Sequence, residues 1–264
     1  MDSCGTSTAV STPCMFSIFG RERYGDHKTH TTENLLDVLQ HAGTHVLWRD
    51  NNSDSKGVAL NVRYENFKTA KNNPMCDVEC RDEGMLSGLQ EYITAQKSGD
   101  LLIVLHQMGN HGPAYYKRYP ASFERFKPVC KTSELENCTR EQISNTYDNA
   151  ILYTDYFLSK VIGLLKNNSA GFETALVYMS DHGESLGENG LYLHGLPYFV
   201  APDTQKHIGA VMWFGDGFKI DKKALRAKSA KAYSHDHLFH TILGLMEVDT
   251  MVYDKTKDII HSDP

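Results

Sequence analysis

No apolar run in these 264 residues is long enough to span a bilayer. Leu101 to Leu105 and Ala175 to Met179 are among the longest, and they have the length of buried strands. Basic residues are not in excess either: Lys and Arg number 27 against 33 Asp and Glu, a formal charge of −6. That balance argues against a nucleic-acid-binding surface as the main business of the chain. Internal repeats and low-complexity stretches are missing too. With 41% hydrophobic and 23% charged residues, the chain is neither disordered nor collagen-like. The opening residues read as neither a signal peptide nor a lead-in strand. The chain starts Met1-Asp2-Ser3-Cys4-Gly5-Thr6, so a stretch that reads as a functional turn lies near the very beginning.

What is present is ample for a sizeable core, and no linker divides it, so residues 1–264 read as one domain. The six cysteines Cys4, Cys14, Cys76, Cys80, Cys130 and Cys138 fall into three pairs close in sequence. Sequence does not fix their connectivity, but local pairing is the simplest arrangement. A zinc knuckle at Cys76 and Cys80 is the alternative, and it lacks two further soft ligands nearby. Disulfides imply an oxidising compartment, and loops this short gain only roughly 2–3 kcal/mol each.

Periodicity predicts helices over 32–43, 82–96, 139–166 and 235–245, and strands over 44–48, 101–106, 174–180 and 208–214. Thr139 with Gln142 three residues on is a capping-box pattern. Short apolar strands alternating with helices predict an α/β fold with a mostly parallel sheet sandwiched by helices. Ligands in such sheets bind beyond the carboxyl ends of the strands. The polar loops after Trp48, His106 and Ser180 all follow strands and converge at that edge if the sheet is parallel.

Three constellations carry chemistry. Asp181-His182 follows the apolar run 175–179, which puts a carboxylate and an imidazole at a strand end. Oxygen and nitrogen donors together suit Zn²⁺, although other divalent metals and plain helix capping fit the same pair. The loop runs on through Gly183-Glu184-Ser185-Leu186-Gly187-Glu188 to Leu193-His194-Gly195. His106 and His111 form a second cluster in His106-Gln107-Met108-Gly109-Asn110-His111-Gly112-Pro113. The third is Ser3-Cys4-Gly5-Thr6-Ser7-Thr8, small hydroxyl residues around a glycine. It reads as a helix N-terminus, whose free N–H groups attract anions and favour a phosphorylated nucleophile. A simple N-cap is the alternative. His235-Asp236-His237 and His240 suggest either a second metal site or capping polar residues.

Together these segments, with Trp48-Arg49-Asp50-Asn51-Asn52-Ser53, resemble the phosphoethanolamine transferases of the alkaline phosphatase and sulfatase superfamily. The match is to the lipid A-modifying branch that includes the mobile colistin resistance enzymes, and it covers nearly the whole chain. The resemblance implies an alkaline phosphatase/sulfatase-like fold. It implies that Thr8 is the nucleophile, carrying phosphoethanolamine as phosphothreonine. It implies that Thr8, Asp181 and His182 hold zinc. His111 and His194 would hold the substrate phosphate or a second, weaker zinc. Asn52, Ser53 and Lys56 would line the phosphoethanolamine pocket. The family disulfides would be Cys4–Cys14, Cys76–Cys80 and Cys130–Cys138, the middle pair being more tightly spaced than in the mobile enzymes. His235-Asp236 resembles a recurring family feature with no assigned role.

The resemblance implies a phosphatidylethanolamine donor, a lipid A acceptor and polymyxin resistance. It places the parent on the periplasmic face of the bacterial inner membrane, held there by N-terminal helices. A monomer is expected. The family also carries a Glu ligand in a Glu-Thr-x-Arg stretch upstream of the nucleophile. Only seven residues precede Thr8 here, and none is Glu. The expectation is therefore a catalytic-domain fragment, lacking the membrane domain and that strand, and binding zinc more weakly. Two other readings stay open. One is a phosphoglycerol transferase, phosphatase or sulfatase on the same fold; Cys14 after Pro13 lacks the Cys/Ser-x-Pro/Ala-x-Arg pattern of sulfatases. The other is an inactive binding module.

Overall fold

The computed structural model describes residues 1–25 and 31–261. His27 and His30, which showed no ligand spacing in the sequence, lie outside them. The chain opens with helix α1 (Thr8–Met15), followed by α2 (Leu35–His41), β1 (His45–Asp50) and β2 (Arg63–Asn66). Then come α3 (Leu89–Ala95), β3 (Leu101–His106), the long α4 (Arg140–Asn167) and β4 (Ala175–Met179). A small hairpin, β5 (Ser185–Leu186) and β6 (Tyr192–Leu193), precedes β7 (Ala210–Phe214), α5 (Lys222–Lys228) and α6 (Leu238–Leu245).

Strands β2-β1-β3 form a parallel sheet in that order, with Leu47 opposite both Arg63 and Ile103. Strand β4 pairs antiparallel with β7, an antiparallel pair of the kind that a mostly parallel α/β fold accommodates. Side chains alternate across β1 and β3, as a pleated sheet covered on both faces requires. Val46, Trp48, Leu102 and Val104 pack with α2 and α6 on one face. Leu47, Leu101, Ile103 and Leu105 meet α3 and α4 on the other. None of the described helices is long and apolar enough to cross a membrane.

Local chemistry explains where the elements start and stop. Thr139 Oγ1 accepts from Gln142 N at 3.2 Å, and Gln142 Oε1 accepts from Thr139 N at 2.8 Å. The predicted capping box is formed, and α4 runs on from it. Asn34 caps α2 in the same way, with Asp37 as its partner. The helix predicted over 82–96 is broken. A 3-10 turn covers Asp82–Leu86, and Gly88 at φ 67° turns the chain into α3. Only glycine takes that conformation cheaply. All three cysteine pairs close locally, Cys4–Cys14, Cys76–Cys80 and Cys130–Cys138, which removes the zinc-knuckle alternative.

Candidate active site

The carboxyl ends of β1, β3 and β4 meet at one edge, where α1 also begins. Thr8 is the first residue of α1 and is buried. Ser7 occupies the N-cap position without a side-chain hydrogen bond to the helix, so the simple capping role is not realised there. The turn is fixed by other groups. Ser3 Oγ donates to Gly5 O at 2.6 Å, Thr6 Oγ1 donates to Leu196 O at 2.6 Å, and Gly195 N donates to Thr6 O at 2.8 Å. These bonds stitch the loop carrying His194 to the turn carrying Thr8.

Thr8 Oγ1 lies 3.4 Å from His182 Nε2. Asp181 Oδ1 accepts from His182 N at 3.1 Å, while its buried Oδ2 has no hydrogen-bond partner and sits 3.7 Å from His182 Nε2. Burial works to raise the Asp181 carboxyl, but the His182 ring and the Thr8 hydroxyl outweigh it and hold the group below its ordinary range. A buried carboxylate oxygen left unpaired is costly unless a cation completes it. A side-chain carbon at Gly183 would overlap the Thr204 carbonyl oxygen, so only glycine lets the His182 loop pack this closely.

His111 and His194 join His182 in a second group. One ring nitrogen from each of the three falls within 4.8 Å of the others. The ring centroids of His182 and His194 are 4.3 Å apart, and those of His111 and His194 4.8 Å. Each Nδ1 faces an acceptor: Gly112 O at 2.6 Å for His111, Gly183 O at 3.0 Å for His182, and Glu184 Oε1 at 3.0 Å for His194. Those acceptors favour the Nδ1–H tautomer and leave the Nε2 lone pairs for a metal or a ligand proton. Glu184 therefore belongs to the site, although nothing in its sequence position points to that role. Its Oε1 also accepts from Gly112 N at 3.1 Å, and its Oε2 from the Tyr115 hydroxyl at 3.1 Å. The Glu184 hydrogen bond raises His194 above the usual histidine value against the pull of burial, whereas burial lowers His111.

The other expected site residues are placed less directly. Asn52 is buried, and its side chain donates to Gln107 O at 2.8 Å, which ties the turn after β1 to the end of β3. Lys56 Nζ folds back onto Ser53 O at 2.6 Å and onto Asp54 at 3.5 Å, so Ser53 and Lys56 close their own turn rather than touch the histidines. His106 Nδ1 lies 3.4 Å from Asp50 Oδ2, and its buried Nε2 is unpartnered. Among the described residues, the second metal site considered at His235–His240 does not form. His235 is buried and hydrogen-bonded, Asp236 Oδ1 accepts from Arg21 N at 2.8 Å, and His240 Nδ1 accepts from Asp254 N at 3.1 Å.

The sulfatase family profile matches residues 1–248. Phosphoethanolamine transferase EptA of Salmonella typhimurium is 48% identical over 264 residues, which covers 98% of this chain and 48% of that protein. Phosphatidylethanolamine transferase Mcr-2 of Escherichia coli is 48% identical over 254 residues, covering 93% of this chain and 46% of that protein. The chain thus spans about half the length of these curated relatives. Among solved structures, the soluble domain of lipooligosaccharide phosphoethanolamine transferase A from Neisseria meningitidis superposes with a TM-score of 0.94 at 45% identity. That match covers all of this chain and 81% of the solved one. With a profile match over residues 1–248, this fold and this site, the chain belongs to the sulfatase family, in its phosphoethanolamine transferase branch.

Proposed function

We propose that this domain transfers phosphoethanolamine from phosphatidylethanolamine to a lipid A phosphate through a phosphothreonine at Thr8. The observation that carries the reading is the position of the Thr8 hydroxyl. It stands at a helix N-terminus, beside His182 and an unpaired Asp181 oxygen, with two further imidazoles across the cleft. The names of the relatives supply the donor and the acceptor class.

Zinc fits the donor set, because Asp181 Oδ2 and the His182 Nε2 lone pair are both available next to Thr8 Oγ1. Bound by those three groups, it would lower the pKa of the Thr8 hydroxyl and balance charge on the phosphoryl group. His111 and His194, the two imidazoles of the triad not used there, offer a weaker second position. The rest of the chemistry belongs to the side chains. Thr8 loses its hydroxyl proton to solvent, its Oγ attacks the donor phosphorus, and the bond from phosphorus to the diacylglycerol oxygen breaks. His194, its Nδ1 held by Glu184, gives the proton that the leaving oxygen takes. His111 and the α1 N-terminus hold the phosphoryl oxygens. A lipid A phosphate oxygen then attacks the same phosphorus and releases Thr8. The acceptor gains an ammonium group, so cationic polymyxins bind it less. In this reading the parent protein works at the periplasmic face of the inner membrane.

Intact-mass and peptide mass spectrometry after incubation with phosphatidylethanolamine tests the proposal. A phosphoethanolamine adduct on Thr8 is expected. An adduct elsewhere overturns the nucleophile assignment, and a phosphoglycerol adduct formed from a phosphatidylglycerol donor instead redirects the reaction. The zinc assignment has its own measurement. Calorimetric titration of the metal-stripped domain should show zinc affinity falling at least about tenfold in Asp181→Asn, since an anionic ligand is lost. Equal affinity would remove Asp181 from the ligand set.

A further inference from the structure

Asp77, Val78 and Glu79 lie between the paired cysteines Cys76 and Cys80. The disulfide, a backbone bridge between the same two cysteines, and a hydrogen bond from Asp77 N to Glu79 O at 3.1 Å close them into a small loop. Each of its two carboxylates takes one arginine. Asp77 Oδ1 lies 2.5 Å from Arg81 Nη2, and Glu79 Oε2 accepts from Arg118 Nη1 at 2.5 Å. Each arginine then donates to a backbone carbonyl of the segment after β3. Arg81 Nη1 donates to Lys117 O, and Arg118 Nε donates to His111 O at 2.6 Å. The two pairs differ in their access to water. The Asp77 side chain is 52% exposed, whereas those of Arg118 and Glu79 are 9% and 23% exposed. Exposed ion pairs contribute little, but a guanidinium cut off from water stays where its partners hold it.

The peptide group joining His111 to Gly112 is gripped at both ends. Its oxygen accepts from Arg118 Nε, and its N–H donates to Glu184 Oε1 at 3.1 Å. The next carbonyl, Gly112 O, faces His111 Nδ1 at 2.6 Å. Gly112 has no room to shift. A side-chain carbon there would lie 2.6 Å from the Tyr115 hydroxyl and 2.7 Å from Leu193. The imidazole hangs from this peptide, so the peptide plane sets the direction of its Nε2. One hydrogen bond alone leaves the plane free to turn about it. The second bond, on the opposite atom of the same peptide, removes that freedom.

We infer that Arg118, braced by Glu79, is a positioning residue that locks the His111–Gly112 peptide and so aims the His111 ring at the phosphoryl oxygens. The disulfide loop thereby acts on the site from outside it, through one buried ion pair and one peptide group. Neither Arg118 nor Glu79 touches substrate in this role. The inference rests on the reading of His111 as a phosphoryl-binding group. An aimed donor is worth most where charge develops on those oxygens, in the transition state. A donor displaced by about an ångström loses much of that value. Releasing the clamp therefore lowers kcat rather than weakening substrate binding.

Turnover of a fluorescent phosphatidylethanolamine analogue by the intact chain tests this in two backgrounds. Arg118→Gln should lower kcat about twentyfold and leave KM within about threefold of the parent. In a His111→Ala background the same change should cost less than about twofold, because the ring it aims is gone. Glu79→Ala leaves Arg118 in place and should lower kcat about fivefold, again only while His111 is present. Glu79→Gln keeps an acceptor for Arg118 Nη1 and should stay within about twofold of the parent. Melting curves establish that each variant is folded, and if Arg118→Gln is not, the two Glu79 variants decide the matter. Equal losses with and without His111 would show that the pair merely holds the loop together, which overturns the inference and leaves the transfer reading intact. Parent kcat in Arg118→Gln or Glu79→Ala overturns it as well. Parent kinetics in His111→Ala alone would instead remove His111 from the phosphoryl site, and the clamp would fall with it.

Discussion

Thr8→Ala should lower turnover of a fluorescent phosphatidylethanolamine analogue by at least about a thousandfold, or roughly 4 kcal/mol of transition-state free energy. The hydroxyl is the only atom group the alanine lacks that can bond to phosphorus, and among the described residues no other side-chain hydroxyl is hydrogen-bonded to the His182 ring. Ser11, the nearest rival on α1, is committed elsewhere: its Oγ donates to Asp181 O and lies 3.2 Å from His235 Nδ1. Thr8→Ser keeps the nucleophile and should retain activity within about a hundredfold. The fold should tolerate both changes, because Thr8 contributes little apolar packing and Ser7 already occupies the N-cap position. Stability within about 1 kcal/mol of the parent separates loss of chemistry from loss of structure. Unchanged turnover in Thr8→Ala would remove the covalent mechanism altogether. Loss of activity together with unfolding would point to a structural role for the turn at Ser3–Ser7.

Much of this site was legible in the sequence, because strand ends and glycine-rich loops are written locally. The run 101–106 is a strand with the bounds its apolar residues predict, and Thr139 caps α4 with the partner three residues on. Asp181-His182 and His111 were found because they follow such strands. Strand β2 was missed for the converse reason. Arg63-Tyr64-Glu65-Asn66 has no apolar alternation, and it is held by pairing with β1 rather than by its own burial. Glu184 sits inside the Asp181-His182 motif without a spacing that marks its task. Its partner His194 is ten residues away, and only the fold of the loop brings the carboxylate onto Nδ1. His235 was harder still. Its partners are Cys4, Ser11 and Ser180, all more than fifty positions distant, so no spacing rule connects them.

Those partners give His235 a role that pH should expose. Its Nδ1 accepts from Cys4 N at 3.0 Å, and its Nε2 donates to Ser180 O at 2.9 Å. The ring thus bridges the nucleophile turn to the end of β4 as a neutral imidazole. Protonation would place a second N–H against the Cys4 N–H in a fully buried space. Burial is the main cause that pushes its pKa down from 6.5 to about 4. Below pH 6.5 the unfolded chain takes up a proton that the folded chain refuses, so stability falls as pH falls. The loss begins near pH 6.5 and is complete near pH 4, where it reaches roughly 3 kcal/mol. Urea midpoints measured at intervals from pH 7 to pH 4 read this directly. His235→Gln removes the titration at the cost of an imperfect bridge. It should be less stable at pH 7 by about 1–3 kcal/mol, with a flatter slope between pH 6.5 and 4. Other carboxylates titrate in both proteins, so the difference between the two curves isolates the histidine. Parallel curves would mean that His235 keeps an ordinary pKa and that the bridge is not sealed from water. A converging pair would show that the neutral His235 bridge between the Cys4 turn and the end of β4 is what acid takes from the fold.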